Sequence, residues 1–89
     1  VNSSFKQQLK AKAHHLKPII LIGAKGLTQA VLDETSIALT THELIKVKLY
    51  DLDKQARLEL IEALCQQLTA TLVQRIGNTA IIYRQNDNT

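Results

Sequence analysis

The segment Lys17-Pro18-Ile19-Ile20-Leu21-Ile22-Gly23 constrains the fold more than any other stretch of this chain. Pro18 disfavours helical geometry at Lys17, so a preceding helix must end there. The four apolar residues that follow are too few for a helix and rich in β-branched side chains, and Gly23 ends the run. A short, uninterrupted apolar run of this kind suits a strand buried on both faces. Such a strand belongs in an α/β architecture, where helices cover the sheet.

The surrounding residues supply those helices. Ser3 and Ser4 are good N-caps for a helix reaching about His15. Phe5, Leu9, Ala13 and Leu16 recur at three- and four-residue spacing and form its apolar stripe. Lys6, Lys10, His14 and Lys17 form a second stripe about a quarter turn away. Lys12 falls close to the apolar face, where its stem can lie along the core and its ammonium reach water. Beyond the strand, Thr28 is placed to cap a helix ending near His42, with Leu27 and Leu32 as a hydrophobic staple. Val31, Thr35, Ala38 and Leu39 face inward.

Residues 44–50 then alternate. Ile45, Val47 and Leu49 point one way and Lys46 and Lys48 the other, as in a half-buried strand. Asp51-Leu52-Asp53 turns the chain, and Asp53 can cap a third helix to about Leu68. Its core stripe is Leu58, Ile61, Cys65 and Leu68, with Leu64 beside it. Two further strands, 72–76 and 79–83, flank the two-residue hairpin signal Gly77-Asn78. The order is α-β-α-β-α-β-β in one domain, residues 1–84, followed by a polar tail, 85–89, expected to fray. Strands joined through helices are expected to run parallel, and the last strand antiparallel through its hairpin.

Composition narrows the function. With 89 residues the chain supports one modest core and little room for a deep cleft. Aromatic residues are only 3%, so the core must be aliphatic. The net charge is +3, but residues 1–26 carry five lysines and no acid, while the remainder carries six basic and eight acidic groups. A one-signed field of this kind attracts polyanions. A lone cysteine, Cys65, forms no internal disulfide and fits the reducing cytoplasm. No apolar run approaches the roughly 20 residues that span a bilayer. Val1 stands where a start methionine would, from which a processed or excised form is expected.

Gly23-Ala24-Lys25-Gly26 carries the functional expectation, because it joins a buried strand to a helix start. The first amides of a helix lack internal acceptors, and the helix dipole adds partial positive charge there. Phosphate can accept those N–H groups. Glycine lets backbone approach closely, and Lys25 adds a mobile full charge. Two glycines with two residues between them form a backbone clamp, as in the GXXG loops of KH domains, although there the loop joins two helices. The Gly-x-x-x-x-Gly-Lys-Ser/Thr and Gly-x-Gly-x-x-Gly nucleotide motifs are absent. The expected RNA-binding set is Gly23, Ala24, Lys25, Gly26 and Thr28, with Lys6, Lys10, His14 and Lys17 on the first helix.

Several segments together look familiar. They are Ala13-His14-His15-Leu16-Lys17-Pro18, Ile22-Gly23-Ala24-Lys25-Gly26-Leu27-Thr28, His42-Glu43-Leu44-Ile45-Lys46-Val47-Lys48, Ile76-Gly77 and Tyr83-Arg84. The chain resembles the CRM domain, named for chloroplast RNA splicing and ribosome maturation, in its stand-alone bacterial YhbY-type form. The resemblance implies a four-stranded mixed sheet packed with helices, similar to the C-terminal domain of bacterial translation initiation factor three. It also implies binding to ribosomal RNA in precursors of the large ribosomal subunit, through the GXXG loop and nearby basic surface. Arg75 departs from the pattern, because an apolar residue is typical there.

Other functions fit less well. Cys65 lies on an inward stripe, where cysteine acts as a small hydrophobe. His14 and His15 point to different helix faces and cannot chelate one metal as an i, i+4 pair could. The expectation is therefore a monomeric, non-enzymatic domain with no cofactor, metal, small-molecule substrate or membrane contact. The alternative is a protein-interaction module whose basic helix docks on an acidic partner. Tyr50 and Tyr83 are the aromatics available to stack on bases. Whether Lys46, Lys48, Arg75 and Arg84 join the RNA footprint is open at the level of sequence.

Overall fold

The computed structural model describes residues 2–86. The tail at 87–89 lies outside the described residues. Helix α1 spans Ser3–Ala13, strand β1 Pro18–Ile22, helix α2 Gln29–His42 and strand β2 Leu44–Leu49. Helix α3 (Lys54–Leu68) and strands β3 (Thr71–Ile76) and β4 (Thr79–Tyr83) complete the order.

Local chemistry explains the helix starts. Thr28 Oγ1 accepts from the Val31 amide at 3.2 Å, and Asp53 Oδ1 accepts from the Ala56 amide at 2.8 Å. Each is an N-cap that satisfies an otherwise orphaned donor. For α1 the cap is Asn2, whose Oδ1 accepts from Phe5 N at 2.8 Å, and not Ser3 or Ser4, which are already helical. An Asn at that position caps as well as Ser, so the helix starts one residue early.

The four strands form one sheet in the order β1-β2-β4-β3. β1 and β2 are parallel, and β4 is antiparallel to both β2 and β3. Strands β1, β2 and β3 thus share one direction, with β4 inserted between β2 and β3. Gly77, at a φ of 57°, makes the tight turn that sends β4 back.

The two sheet faces are covered unequally. On one face Ile20, Ile22, Ile45, Val47, Leu49, Ala80 and Ile82 pack with Leu39 of α2 and with Ile61 and Leu64 of α3. Leu64 is fully buried, so it lies at the centre of the α3 stripe and not beside it; Leu58 and Cys65 are only half-buried. On the other face Leu9 and Ala13 of α1 pack on Leu44, Val73 and Ile81, with Phe5, Leu16 and Tyr83 at the margin.

Helix α1 does not reach the whole of that face. Ile20 and Ile22 are buried, but Ile19 is 46% and Leu21 59% exposed. β1 is therefore an edge strand with one bare side, not a strand buried on both faces. The apolar run alone could not reveal this, because its cover depends on how far α1 extends.

Arg84 locks the covered face. Its Nη1 donates to Ser36 Oγ (3.3 Å) and Leu68 O (3.2 Å), and its Nη2 to Ser36 O (2.8 Å) and Thr40 Oγ1 (2.9 Å). The side chain is half-buried and ties α2 to the end of α3. Its hydrogen bonds are spent on the fold. Replacing Arg84 by Ala strands these acceptors and is expected to cost about 1.5–3 kcal/mol. Urea unfolding checks it: the midpoint should fall with the slope unchanged.

Candidate nucleic-acid interface

The Gly-Ala-Lys-Gly segment is a tight turn at the end of β1. The Gly26 amide donates to Gly23 O at 2.9 Å, and Gly26 takes a φ of 72°, where glycine is favoured. Thr28 N–H returns to Gly26 O at 3.2 Å, and Leu32 N–H donates to Thr28 O at 3.0 Å. Together with the Thr28 cap, these bonds hold the loop in one shape. The amides of Ala24 and Lys25 at its tip, and of Gln29 and Ala30 in the first turn of α2, have no protein acceptor among the described residues. They are the donors an anion would use.

Gly23, Ala24, Lys25, Gly26 and Thr28 line one concavity with Leu21, Val31 and Tyr50, and no Asp or Glu is among the lining residues. Ala24, Lys25 and Thr28 are exposed, whereas Gly23 and Gly26 are half-buried. The sequence marks Tyr50 as an aromatic available for stacking, but not as a wall of this loop. Tyr50 ends β2, and parallel pairing sets Ile22 beside Leu49, so its ring arrives over the loop. The Tyr50 amide donates to Ile22 O at 3.0 Å. A Cβ on Gly23 would come within 2.7 Å of that ring. Gly23 is therefore a glycine for close approach, and Tyr50, 47% exposed, is the aromatic at the site. Tyr83 is not: it stacks edge-on against Phe5, with ring centroids 5.4 Å apart, at the margin of the α1 core.

The lysines of α1 are not beside the loop. Lys17 immediately precedes β1 and Gly23 immediately follows it, so the strand's length separates them. Lys6 and Lys10 are half-buried along α1, and His14 is exposed as its C-cap. Phe5 meets Tyr83, which pairs with Leu44 at the start of β2, so α1 is anchored at the sheet end away from the loop.

Lys46 and Lys48 lie between the two. Both project from β2 on the α1 side of the sheet, alternating with buried Ile45, Val47 and Leu49. Lys48 pairs with Leu21, which lines the loop concavity, and Lys46 pairs with Pro18, beside Lys17. The bare part of this face thus runs from the loop through Lys48 and Lys46 to the C-terminal end of α1. Arg75 belongs to the opposite face. It pairs with Ala80 of the α2–α3 core and shares a cleft with Glu59 and Glu62.

Cys65 lines that same cleft, and burial raises its thiol pKa above the usual cysteine value. Fewer thiolates at neutral pH make it a poor nucleophile. Among the described residues no three His, Cys, Asp or Glu side chains converge as metal ligands, and no helix is long and apolar enough to cross a membrane.

The sheet order and the loop at the end of its first strand define a recognisable class. Residues 1–84 match the model of the CRS1/YhbY (CRM) domain. The chain belongs to that family. It is 47% identical over 81 residues to the probable RNA-binding protein PA4753 of Pseudomonas aeruginosa, covering 91% of this chain and 78% of that one. It is 43% identical to an RNA-binding protein of Haemophilus influenzae, covering 92% of this chain and 83% of the relative. The solution structure of the hypothetical protein SAV1595 from Staphylococcus aureus superposes with a TM-score of 0.84 at 31% identity, covering all of this chain and 94% of that one.

Two measurements check the site as described. Gly23→Ala should shift the Tyr50 ring resonances while stability changes by less than about 1 kcal/mol, because only the far end of an exposed side chain must move. An unmoved ring would mean that Tyr50 does not sit over Gly23. Iodoacetamide at pH 8.5 should alkylate Cys65 more slowly in the folded protein than in urea; equal rates would mark an open, unperturbed thiol.

Proposed function

We propose that this domain binds structured RNA through its phosphate backbone, as an assembly factor acting on ribosomal RNA in precursors of the large ribosomal subunit. The carrying observation is the loop with its concavity: amides of Ala24 and Lys25 in the lining, and of Gln29 and Ala30 in the adjoining first turn of α2, without protein acceptors among the described residues, together with one mobile lysine and no carboxylate in the lining. Phosphate oxygens would accept the amides, and Thr28 would sit at the rim. Lys25, with Lys17, Lys6, Lys10 and His14 farther along, would supply attraction and release counterions from the RNA. Lys46 and Lys48 join these two parts and belong to the footprint. Arg84 and Arg75 do not, being respectively tied into the fold and turned to the opposite face.

The names of the relatives support RNA as the partner. The narrower assignment to large-subunit precursors rests on the resemblance of the Gly-Ala-Lys-Gly-Leu-Thr and Glu-Leu-Ile-Lys-Val-Lys segments to the stand-alone bacterial CRM domain. In this reading the protein has no catalytic step and works in the cytoplasm. With a single aromatic at the site, contacts to backbone and shape outweigh base reading.

Gly26→Asp tests the clamp. No neighbouring atom lies within 4 Å of a Cβ at that position, and Asp is among the residues that tolerate a positive φ. The variant should stay folded and lose at least about tenfold in RNA affinity, roughly 1.4 kcal/mol, at fixed salt. Unchanged affinity in a folded variant would remove the loop from the interface. Co-sedimentation with large-subunit precursors, and the RNA positions then protected, tests the narrower assignment.

A further inference from the structure

At the far end of β1 from the loop there is a second basic concavity. Its volume is about 350 Å³, and it is lined by Lys12, His15, Lys17, His42 and Lys46 around an apolar floor that includes Leu16 and Ile19. No carboxylate contributes to the lining. Three elements and one connection bring these side chains together. Lys12 comes from the last turn of α1, and His15 and Lys17 from the connection that follows it. His42 ends α2, and Lys46 stands in the middle of β2.

The floor is unusual for a basic patch. Ile19 is 46% exposed at the bare edge of the sheet, and Leu44 lies beneath at the start of β2. A bare sulfate-like anion needs the ammonium groups but not the apolar surface. A nucleotide uses both: its phosphate meets the lysines while its base lies on the aliphatic floor, within reach of two exposed imidazoles that can stack or donate. The volume is at the small end of ligand-binding pockets, enough for one nucleotide unit.

We infer that this groove is a second nucleotide-binding site, which seats one phosphate and its base from the same RNA strand that the Gly23–Gly26 loop grips. The inference rests on the RNA reading given above. The two sites lie at opposite ends of the five-residue strand β1. A strand of that length spans roughly 17 Å. That is several nucleotides of a stacked strand. RNA shorter than this engages one site at a time, and longer RNA engages both, so affinity rises steeply once the strand can span them.

The experiment uses the full chain and NMR titration with adenosine monophosphate, inorganic phosphate and single-stranded RNA of three and ten nucleotides. The monophosphate and the ten-mer should both shift signals of Lys12, His15, His42 and Lys46. Phosphate alone should do so more weakly. The double variant Lys12→Ala/Lys46→Gln should weaken the ten-mer about tenfold and lower its salt slope by about 1.4, while shifts at Gly26 with the three-mer stay as they were. Lys12→Glu, at an exposed helical position, should give the same loss without touching the sheet. Groove signals that ignore both the monophosphate and the ten-mer would overturn the proposal. So would phosphate matching the monophosphate, since the floor would then play no part. If Gly26→Asp abolishes ten-mer binding while the groove variants leave it intact, the groove fails and the loop stands. If neither class of variant weakens the ten-mer, the RNA reading itself fails.

Discussion

A four-stranded sheet has two faces to cover, and in this domain the second is only half covered. Helices α2 and α3 bury the side carrying Ile45, Val47 and Leu49, and Arg84 pins their ends together. On the other side a single helix, α1, buries Leu44, Val73 and Ile81 and stops. Leu21, Ile19 and Ile76 are left facing water, in line with two lysines. Such a surface costs stability, because apolar area remains hydrated and like charges share a face. It is also the surface on which both concavities open, one at each end of β1. The incomplete cover therefore sets where the proposed binding surface lies.

Much of this was legible where the chemistry is local. Thr28 and Asp53 declare their helices by side-chain capping, Gly77-Asn78 declares its hairpin, and β2 declares its two sides by strict alternation. The GXXG loop was legible for the same reason, since a strand, two glycines and a cap follow one another within a dozen residues. What escaped depends on register between distant segments. Tyr50 reaches Gly23 only because β2 pairs in parallel with β1 at Ile22 and Leu49. Arg84 finds Ser36 across 48 positions of sequence, and no local pattern announces it. The apolar run Ile19–Ile22 reads the same whether one side is covered or bare.

The distance between the basic helix and the loop changes how the electrostatics should be understood. Had the two adjoined, one phosphate would have felt both, and the lysines would have acted as part of the clamp. Separated by the length of β1, they would act on different phosphates in the proposed complex. The loop amides are fixed dipoles held by the Gly26–Gly23 and Thr28–Gly26 hydrogen bonds, so they set position with little reorganisation. The lysines are long, mobile and mostly solvated, so they set attraction and its dependence on salt. On the proposed reading, position and attraction fall to different residues, so affinity would vary with surface charge while the geometry at the loop stays constant.

The same separation gives the surface a direction. One end offers backbone donors and a tyrosine ring; the other offers ammonium groups and imidazoles over an aliphatic floor. The two ends are chemically unlike, so a strand laid along β1 meets different partners at its two ends and is not equivalent when reversed. Lys46 and Lys48 link the two ends, Lys46 lining the groove and Lys48 standing beside Leu21 of the loop concavity. On the proposed reading, a rigid strand joining two unlike sites would select RNA by the spacing and polarity of its phosphates. A domain with one aromatic at its site can achieve that selectivity without reading bases.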